Sequence, residues 1–253
     1  MAGHSKWANI KHKKARQDKK RGKIFSKLSK KITSAARRSG GDLEYNSELR
    51  VYVDKAKDAN MPKDNIERAI KKGTGELEGV SYTDFRYEAY GPGGVAYLME
   101  GSTDNKNRTV ADIRHVFDKH GGNLGESGCV AWMFHSRGII SLSEDKVDDL
   151  DSLMEIALEE EAEDFEQEDG VVTITTPPKK FANMRDALEK AGYDEFITDE
   201  ITKVAENTLA PELSTVQSNM KLIDILEDDD DIEEIYHNLE LSDEVAEALG
   251  AEL

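Results

Sequence analysis

Charge is distributed very unevenly along this chain, which limits the ways in which it can fold. Residues 1–38 hold 14 Lys and Arg against one acid, Asp18, a formal charge of +13. Residues 39–75 are neutral, so the rest of the chain carries −31 and the net charge is −18. A segment of +13 resists packing against itself and is typical of phosphate binding. We expect a basic arm that meets a polyanion and an acidic body that does not, the alternative being a solvated basic helix without a partner.

Length and composition narrow the class of protein further. A chain of 253 residues favours two or three domains, and 38% apolar with 34% charged residues predicts small cores wrapped in charge. The single cysteine, Cys129, excludes an intrachain disulfide and a thiolate zinc cage. No stretch approaches the roughly 18 apolar residues of a membrane span, and no apolar run of a secretory signal follows the basic start. We expect a cytoplasmic protein without a membrane partner.

The first 78 residues are predicted to form a basic helical domain. Apolar residues recur at helical spacing within 24–35 and within 49–56. Pro62 suits the first position of a third helix, and Gly73 suits the position after its end. Each apolar stripe must be covered, so we expect a three-helix bundle.

The rest of the chain is predicted to alternate strands and helices. After Tyr82 we expect two strands, a helix and a third strand over 82–90, 95–100, 104–119 and 130–134. From 138 to 204 the pattern is β-α-β-β-α-β, the order of a ferredoxin-like domain. A last helix is expected near Ser214. The fold class is therefore α+β, an N-terminal bundle followed by two α/β domains.

Two acidic stretches flank that last helix. Residues 144–170 hold 14 acids against one Lys, and residues 227–252 hold 12 acids with no Lys or Arg. The first stretch is interpreted as a solvated face that opposes pairing at the sheet edge. A calcium site is the sharper alternative, but no D-x-D-x-D-G spacing supports it.

Catalytic and cofactor patterns are missing from the sequence. The six histidines do not form H-x-E or H-E-x-x-H, so no metal site is predicted. The glycine run 121–128 follows a helix and lacks the Gly-Lys-Ser/Thr ending of a phosphate loop, so we interpret it as a long turn. Nothing nearby would activate Cys129, which we interpret as a small buried hydrophobe. We predict no enzyme, no cofactor and no small-molecule substrate, and the oligomeric state is left open.

The basic arm is the first predicted binding surface. Lysine and arginine supply phosphate affinity, and Trp7 with the histidine rings could stack on bases. The alternative is that Trp7 and Ile10 fasten the arm to the body. The candidate nucleic-acid-binding residues are His4, Lys6, Trp7, Lys11, Lys13, Lys14, Arg16, Lys19, Lys20, Arg21, Lys23, Lys27, Lys30, Lys31, Arg37 and Arg38.

A second polar surface is predicted at a helix N-terminus. Asn105, Asn107 and Arg108 follow directly on Thr103 and Asp104. Backbone N–H groups at such an end suit an anion, which Arg108 could hold with its guanidinium. The alternative is ordinary helix capping by Thr103 and Asp104, which would leave the asparagines and Arg108 unexplained.

Five segments resemble the YebC family, also called the YebC/PmpR group, which includes the mitochondrial translational activator of cytochrome c oxidase I. In family order they are MAGHSKWANIKHKK, NMPKDNIERAIKKG, YEAYGPGGVA, TDNKNRT and GGNLGESGCVAWMF. Ala89 and Cys129 stand where the family usually has glycine and serine, and both changes are small. The resemblance covers essentially the whole chain.

The resemblance implies three domains, with the last inserted into the middle one. Residues 1–78 would be the basic helical domain, and 79–136 with 205–240 a discontinuous α/β domain. Residues 137–204 would be the acidic ferredoxin-like insertion, and 241–253 an acidic C-terminal tail.

For function, the resemblance implies a nucleic-acid-binding regulator of gene expression. The family is most often described as DNA-binding transcriptional regulators. Other members are described as ribosome-associated, rRNA-binding translation factors that help synthesis through difficult stretches such as consecutive prolines. The mostly lysine basic helix reads charge more than sequence, which fits the second description at least as well. A protein-interaction adaptor is a distant alternative.

Overall fold

The computed structural model describes residues 21–76, 82–168, 170–229 and 231–252. The helices are α1 (Arg21–Ser39), α2 (Ser47–Asp58), α3 (Lys63–Gly73), α4 (Lys106–Lys119), α5 (Leu150–Glu159), α6 (Phe181–Lys190), α7 (Leu213–Asp228) and α8 (Asp243–Glu252). The strands are β1 (Thr83–Tyr90), β2 (Ala96–Thr103), β3 (Asn123–Leu124), β4 (Phe134–Ser143), β5 (Asp164–Glu168), β6 (Val171–Thr176), β7 (Phe196–Ala205) and β8 (Ile232–His237). These elements form N-terminal helices and two four-stranded sheets, an α+β fold.

Contacts divide the chain into two compact units. One comprises Asp18–Cys129 with Gln217–Ile235, and the described part of the other lies within Val130–Val216 and Tyr236–Leu253. The three N-terminal helices and the strands β1 and β2 therefore belong to the same unit.

Helices α1, α2 and α3 confirm the three helices predicted from the first 78 residues. Their apolar stripes meet in one core that includes Ile32, Leu49 and Ile66. Asn46 caps α2, since its Oδ1 accepts the Leu49 N–H at 3.0 Å. Its side-chain amide also donates to the carbonyl of Ala35 at 2.9 Å, which fixes α2 against α1.

The first sheet has the strand order β3-β1-β2-β8. Strands β1 and β2 pair antiparallel from Thr83 opposite Thr103 to Tyr90 opposite Ala96, as the predicted hairpin requires. Helix α4 covers this sheet, and its Phe117 meets the Tyr97 ring edge to face at 5.4 Å between centroids.

The third strand predicted for this region, 130–134, is wrong. Residues Ala131–Met133 form a short 3-10 turn, and the side chain of Trp132 is 59% exposed. A short apolar run is compatible with a turn as well as with a strand, so its periodicity does not decide between them. Here the strand β4 begins only at Phe134, where the predicted strand was to end.

The second sheet lies in the other unit and has the order β5-β6-β4-β7, with all pairs antiparallel. The element order β4-α5-β5-β6-α6-β7 confirms the predicted sequence of strands and helices. Its core gathers Ile140, Leu153, Ile174 and Leu188 from both helices and the sheet. The described acids of 144–168 are exposed or half-buried around that core.

The last residues differ from the predicted tail. Helix α8 occupies Asp243–Glu252, and Leu241, Val245 and Leu249 are buried. The four-residue spacing of Val245 and Leu249 places their side chains on one helix face, and Leu241 is buried just before the helix. A regular helix therefore replaces the tail.

Candidate nucleic-acid interface

Most of the predicted binding residues fall outside the described part of the chain. This holds for His4, Lys6, Trp7, Lys11, Lys13, Lys14, Arg16, Lys19 and Lys20. Arg21 and Lys23 lie in α1, but their side chains are also outside the description. The structure therefore bears on Lys27, Lys30, Lys31, Arg37 and Arg38.

These five cations share one face of α1. Their separations of three, four and seven residues bring them into line along the helix, away from Ile32 and Ala36 in the bundle core. The predicted cationic surface therefore exists on α1. The positive charge of this surface, however, is partly balanced by carboxylates of the same unit.

Four of the five cations lie opposite carboxylates of the same unit. The pairs are Lys30 with Asp231, Lys31 with Glu234, Arg37 with Asp84 and Arg38 with Glu48. Arg37 also donates to the carbonyl oxygen of Tyr82 at 2.7 Å. A phosphate would have to compete with these partners, so this part of α1 offers less net charge than its sequence suggests. Nucleic-acid contacts by these residues stay a prediction.

The second predicted surface is built around a carboxylate that sequence reasoning missed. Asp231 Oδ2 accepts hydrogen bonds from Thr103 Oγ1 at 3.0 Å, Thr109 Oγ1 at 2.7 Å and Arg108 Nη2 at 2.8 Å. Lys30 Nζ lies 3.9 Å from its other oxygen. We call these five residues the Asp231 cluster. The Asp231 side chain is only 13% exposed.

The charge of Asp231 is stabilised by this cluster. Burial alone would raise the pKa of the carboxyl group. The hydrogen bonds from Arg108, Thr109 and Thr103, with the charge of Lys30, outweigh burial and lower the pKa below its usual value. The carboxylate is therefore ionised at neutral pH.

The cluster accounts for most of the motif that suggested anion binding. Asn105 caps α4, because its Oδ1 accepts the Arg108 N–H at 3.1 Å. The Arg108 guanidinium donates to Asp104 as well as Asp231, each at 2.8 Å. Asn107 is exposed beside it. An external anion at Asn105, Asn107 and Arg108 stays a prediction, and it would have to compete with two carboxylates.

Glycine at position 101 lets Asp231 reach β2. A Cβ there would lie 2.1 Å from the Asp231 carbonyl oxygen, which accepts the neighbouring Ser102 N–H at 3.1 Å. Ser102 Oγ donates to Glu233 at 2.6 Å, and burial raises the pKa of Glu233. In sequence Asp231 is one of several adjacent acids, so no local signal distinguishes it.

The glycine run 121–128, interpreted from the sequence as a long turn, contains the short strand β3, which pairs with β1, followed by a loop. The buried Glu88 accepts the Gly128 N–H at 2.7 Å, and its carbonyl oxygen accepts the Gly125 N–H at 2.8 Å. Cys129 is half-buried rather than buried, and its Sγ lies beside Gly125. Burial, with the charge of Glu88, raises the pKa of its thiol, which opposes reactivity.

Two other features of the described residues bear on function. No three His, Cys, Asp or Glu side chains within these ranges are placed to hold a metal ion. No helix among them is long and apolar enough to cross a membrane.

The fold and these sites define an α+β protein with basic N-terminal helices and two four-stranded antiparallel sheets. The sequence pattern described as "TACO1/YebC protein N-terminal domain" matches residues 5–76. The pattern described as "TACO1/YebC second and third domain" matches residues 82–239. The chain belongs to the TACO1/YebC family, as its five motifs indicated.

Individual relatives agree with this assignment. A "Probable transcriptional regulatory protein" of Halothermothrix orenii is 57% identical over 255 residues, covering 100% of both chains. A relative with the same name from Syntrophotalea carbinolica is 54% identical, covering 96% of this chain and 97% of its own. The crystal structure of a conserved hypothetical protein from Aquifex aeolicus has a TM-score of 0.78 at 43% identity, covering 90% of this chain and 93% of its own. The names of the first two relatives agree with the prediction of a regulator and not an enzyme.

Proposed function

We propose that this protein is a DNA-binding transcriptional regulator. The observation that carries the proposal is the charge separation, with +13 on residues 1–38 of a chain whose net charge is −18. Such a segment releases counterions when it meets phosphates, whereas the acidic remainder is repelled. The names of the two relatives, both probable transcriptional regulatory proteins, support the same function.

The segment before residue 24 would carry most of the contacts. The described cations of α1 are largely opposed by carboxylates, whereas residues 1–23 contain nine Lys and Arg and only Asp18 as an acid. Lysine dominates this set, so we expect affinity for the phosphate backbone before any discrimination between bases.

A ribosome-associated, rRNA-binding translation factor is the second candidate. One observation favours it. Arg37, Arg38 and Arg108 could read base edges in a major groove, but each is paired with a carboxylate. A surface that recognises charge and shape suits structured RNA as well as DNA.

One experiment separates the two candidates. Co-sedimentation with ribosomes across a salt gradient is run beside footprinting on genomic DNA, with the same preparation of full-length protein. A DNA footprint without salt-stable ribosome binding supports the transcriptional proposal. Salt-stable ribosome binding without a footprint overturns it in favour of the translational one.

We also propose a finer division of the fold. Residues 137–204 would be a ferredoxin-like domain inserted between 79–136 and 205–240. Residues 1–78 would be a helical domain whose described helices lie in the same compact unit as β1 and β2. The strand order β5-β6-β4-β7 and the separate family patterns for 5–76 and 82–239 support it. We place the protein in the cytoplasm.

A further inference from the structure

A pocket of about 280 Å³ lies between α1, α3, Ser102 of β2 and Tyr82, the residue before β1. All of its lining residues belong to one compact unit. Four of them are cations, Lys30, Arg37, Arg68 and Lys72, and the hydroxyl group of Ser102 joins them. Four positive side chains around one small space attract anions to the extent that carboxylates of the protein do not already balance them.

The protein supplies only part of that balance. Arg37 is paired with Asp84, and Lys30 lies 3.9 Å from Asp231, a carboxylate already held by Arg108. Arg68 is solvent-exposed and makes no hydrogen bond or ion pair in the described part of the chain. This leaves a positive excess in the pocket.

Lys72 adds to the excess. It lies over the Tyr82 ring, 4.6 Å from the centroid, and has no carboxylate partner in the described part of the chain. The ring holds the ammonium group at the pocket by a cation–π contact without cancelling its charge.

The walls of the pocket are fixed by close packing between α1 and α3. The Thr33 hydroxyl donates to the Ala69 carbonyl oxygen at 3.0 Å in a buried position. A Cβ on Gly73 would lie 2.4 Å from the Thr33 carbonyl oxygen and 2.7 Å from Ala36 Cβ, so only glycine allows this approach. The cations therefore surround a preformed space.

We propose that this pocket binds the phosphate group of a nucleotide. Guanidinium and ammonium groups with nearby hydroxyls are the donors that phosphate prefers. The volume suits a phosphate with its sugar and cannot admit a duplex. The phosphate comes either from a single strand of nucleic acid, which rests on the proposed function, or from a free nucleotide, which does not.

The test uses two full-length variants that each remove two positive charges from α3. R68Q/K72Q removes the pocket cations that lack carboxylate partners. K63Q/K71Q is the control, because both lysines are exposed and neither lines the pocket. Lys63 lies 3.5 Å from Glu67, an exposed pair on the same helix that is worth little in water, whereas Lys71 is the control for an exposed cation of α3 outside the pocket. Binding of a single-stranded oligonucleotide and of AMP is measured for both variants and the wild type, with circular dichroism to check folding.

We expect R68Q/K72Q to lose about tenfold or more in affinity beyond the loss in K63Q/K71Q, because charged hydrogen bonds are removed. Loss confined to the oligonucleotide identifies a strand phosphate, and loss of AMP binding identifies a free nucleotide. AMP binding that depends on the pocket, in a protein that binds no nucleic acid, would sustain this site while overturning the proposed function. Equal behaviour of the two variants, or no binding of either probe by the wild type, overturns the pocket proposal.

Discussion

Helices α1 and α3 both present cations in the same unit, but in different electrostatic settings. On α1, Lys31 and Arg38 lie against Glu234 and Glu48. On α3, Arg68 and Lys72 have no carboxylate partner within the described ranges. Sequence counting favours α1, because that helix has seven Lys and Arg and no acid, whereas α3 has four Lys and Arg with Asp64 and Glu67. The comparison shows that partners, which come from distant segments, decide how much charge a helix offers to a ligand.

The largest effect on the free energy of unfolding is expected at Asp231, the largely buried acid of the Asp231 cluster. D231A leaves Arg108, Thr103 and Thr109 without their shared acceptor, so we expect a loss of about 2–4 kcal/mol in the free energy of unfolding. Urea denaturation at pH 7 measures it.

D104A is the matched control for that change, since Asp104 pairs with the same guanidinium from an exposed position. The D104A substitution should cost under about 1 kcal/mol in the free energy of unfolding. Equal losses in the free energy of unfolding for D231A and D104A would show that burial does not make the Arg108–Asp231 pair stronger than the Arg108–Asp104 pair.

The lowered pKa of Asp231 also predicts a pH dependence. The contribution of the Asp231 carboxylate to stability should be lost as pH falls below about 4, and the D231A variant should not show this pH-dependent decrease.

A smaller effect tests the packing of α1 against α3. G73A forces a Cβ onto the Thr33 carbonyl oxygen, so α3 must shift at a cost of about 1–3 kcal/mol. Thermal unfolding measures this cost, with K71A on the exposed side of α3 as the control, expected within about 0.5 kcal/mol of the wild type. A neutral G73A would show that the two helices are not in tight contact.

The smallest effect concerns a carboxylate whose burial opposes its charge. Burial raises the pKa of Glu233, so the folded state loses stability as pH rises through that raised pKa. E233Q carries no charge, and its amide oxygen can still accept from Ser102. We expect the variant to gain up to about 1 kcal/mol over the wild type at pH 7, with the gain vanishing below pH ~4. Urea denaturation of E233Q and of the wild type at both pH values measures this gain. A variant less stable than the wild type at pH 7 would contradict the claim that burial makes the Glu233 charge destabilising.

Local patterns predicted much of this fold, and non-local pairing decided the rest. The stripes of α1 to α3 and the β1–β2 hairpin follow from spacing and turn residues alone. The resemblance implies an acidic tail over 241–253, and this expectation overlooks the helical spacing of Val245 and Leu249 in α8. The Asp231 cluster was missed because its acid and its threonines lie more than a hundred positions apart.

Salt dependence of nucleic-acid binding tests the central claim most directly, namely that cations with carboxylate partners contribute little to affinity. K13Q/K14Q and K31Q/R38Q each remove two positive charges, the first pair from the N-terminal segment and the second from ion pairs of α1. For K13Q/K14Q we predict a log–log salt slope flatter by about 1.4–1.8, two phosphate contacts' worth, and for K31Q/R38Q a change under about 0.5. Equal flattening by both variants would contradict the claim.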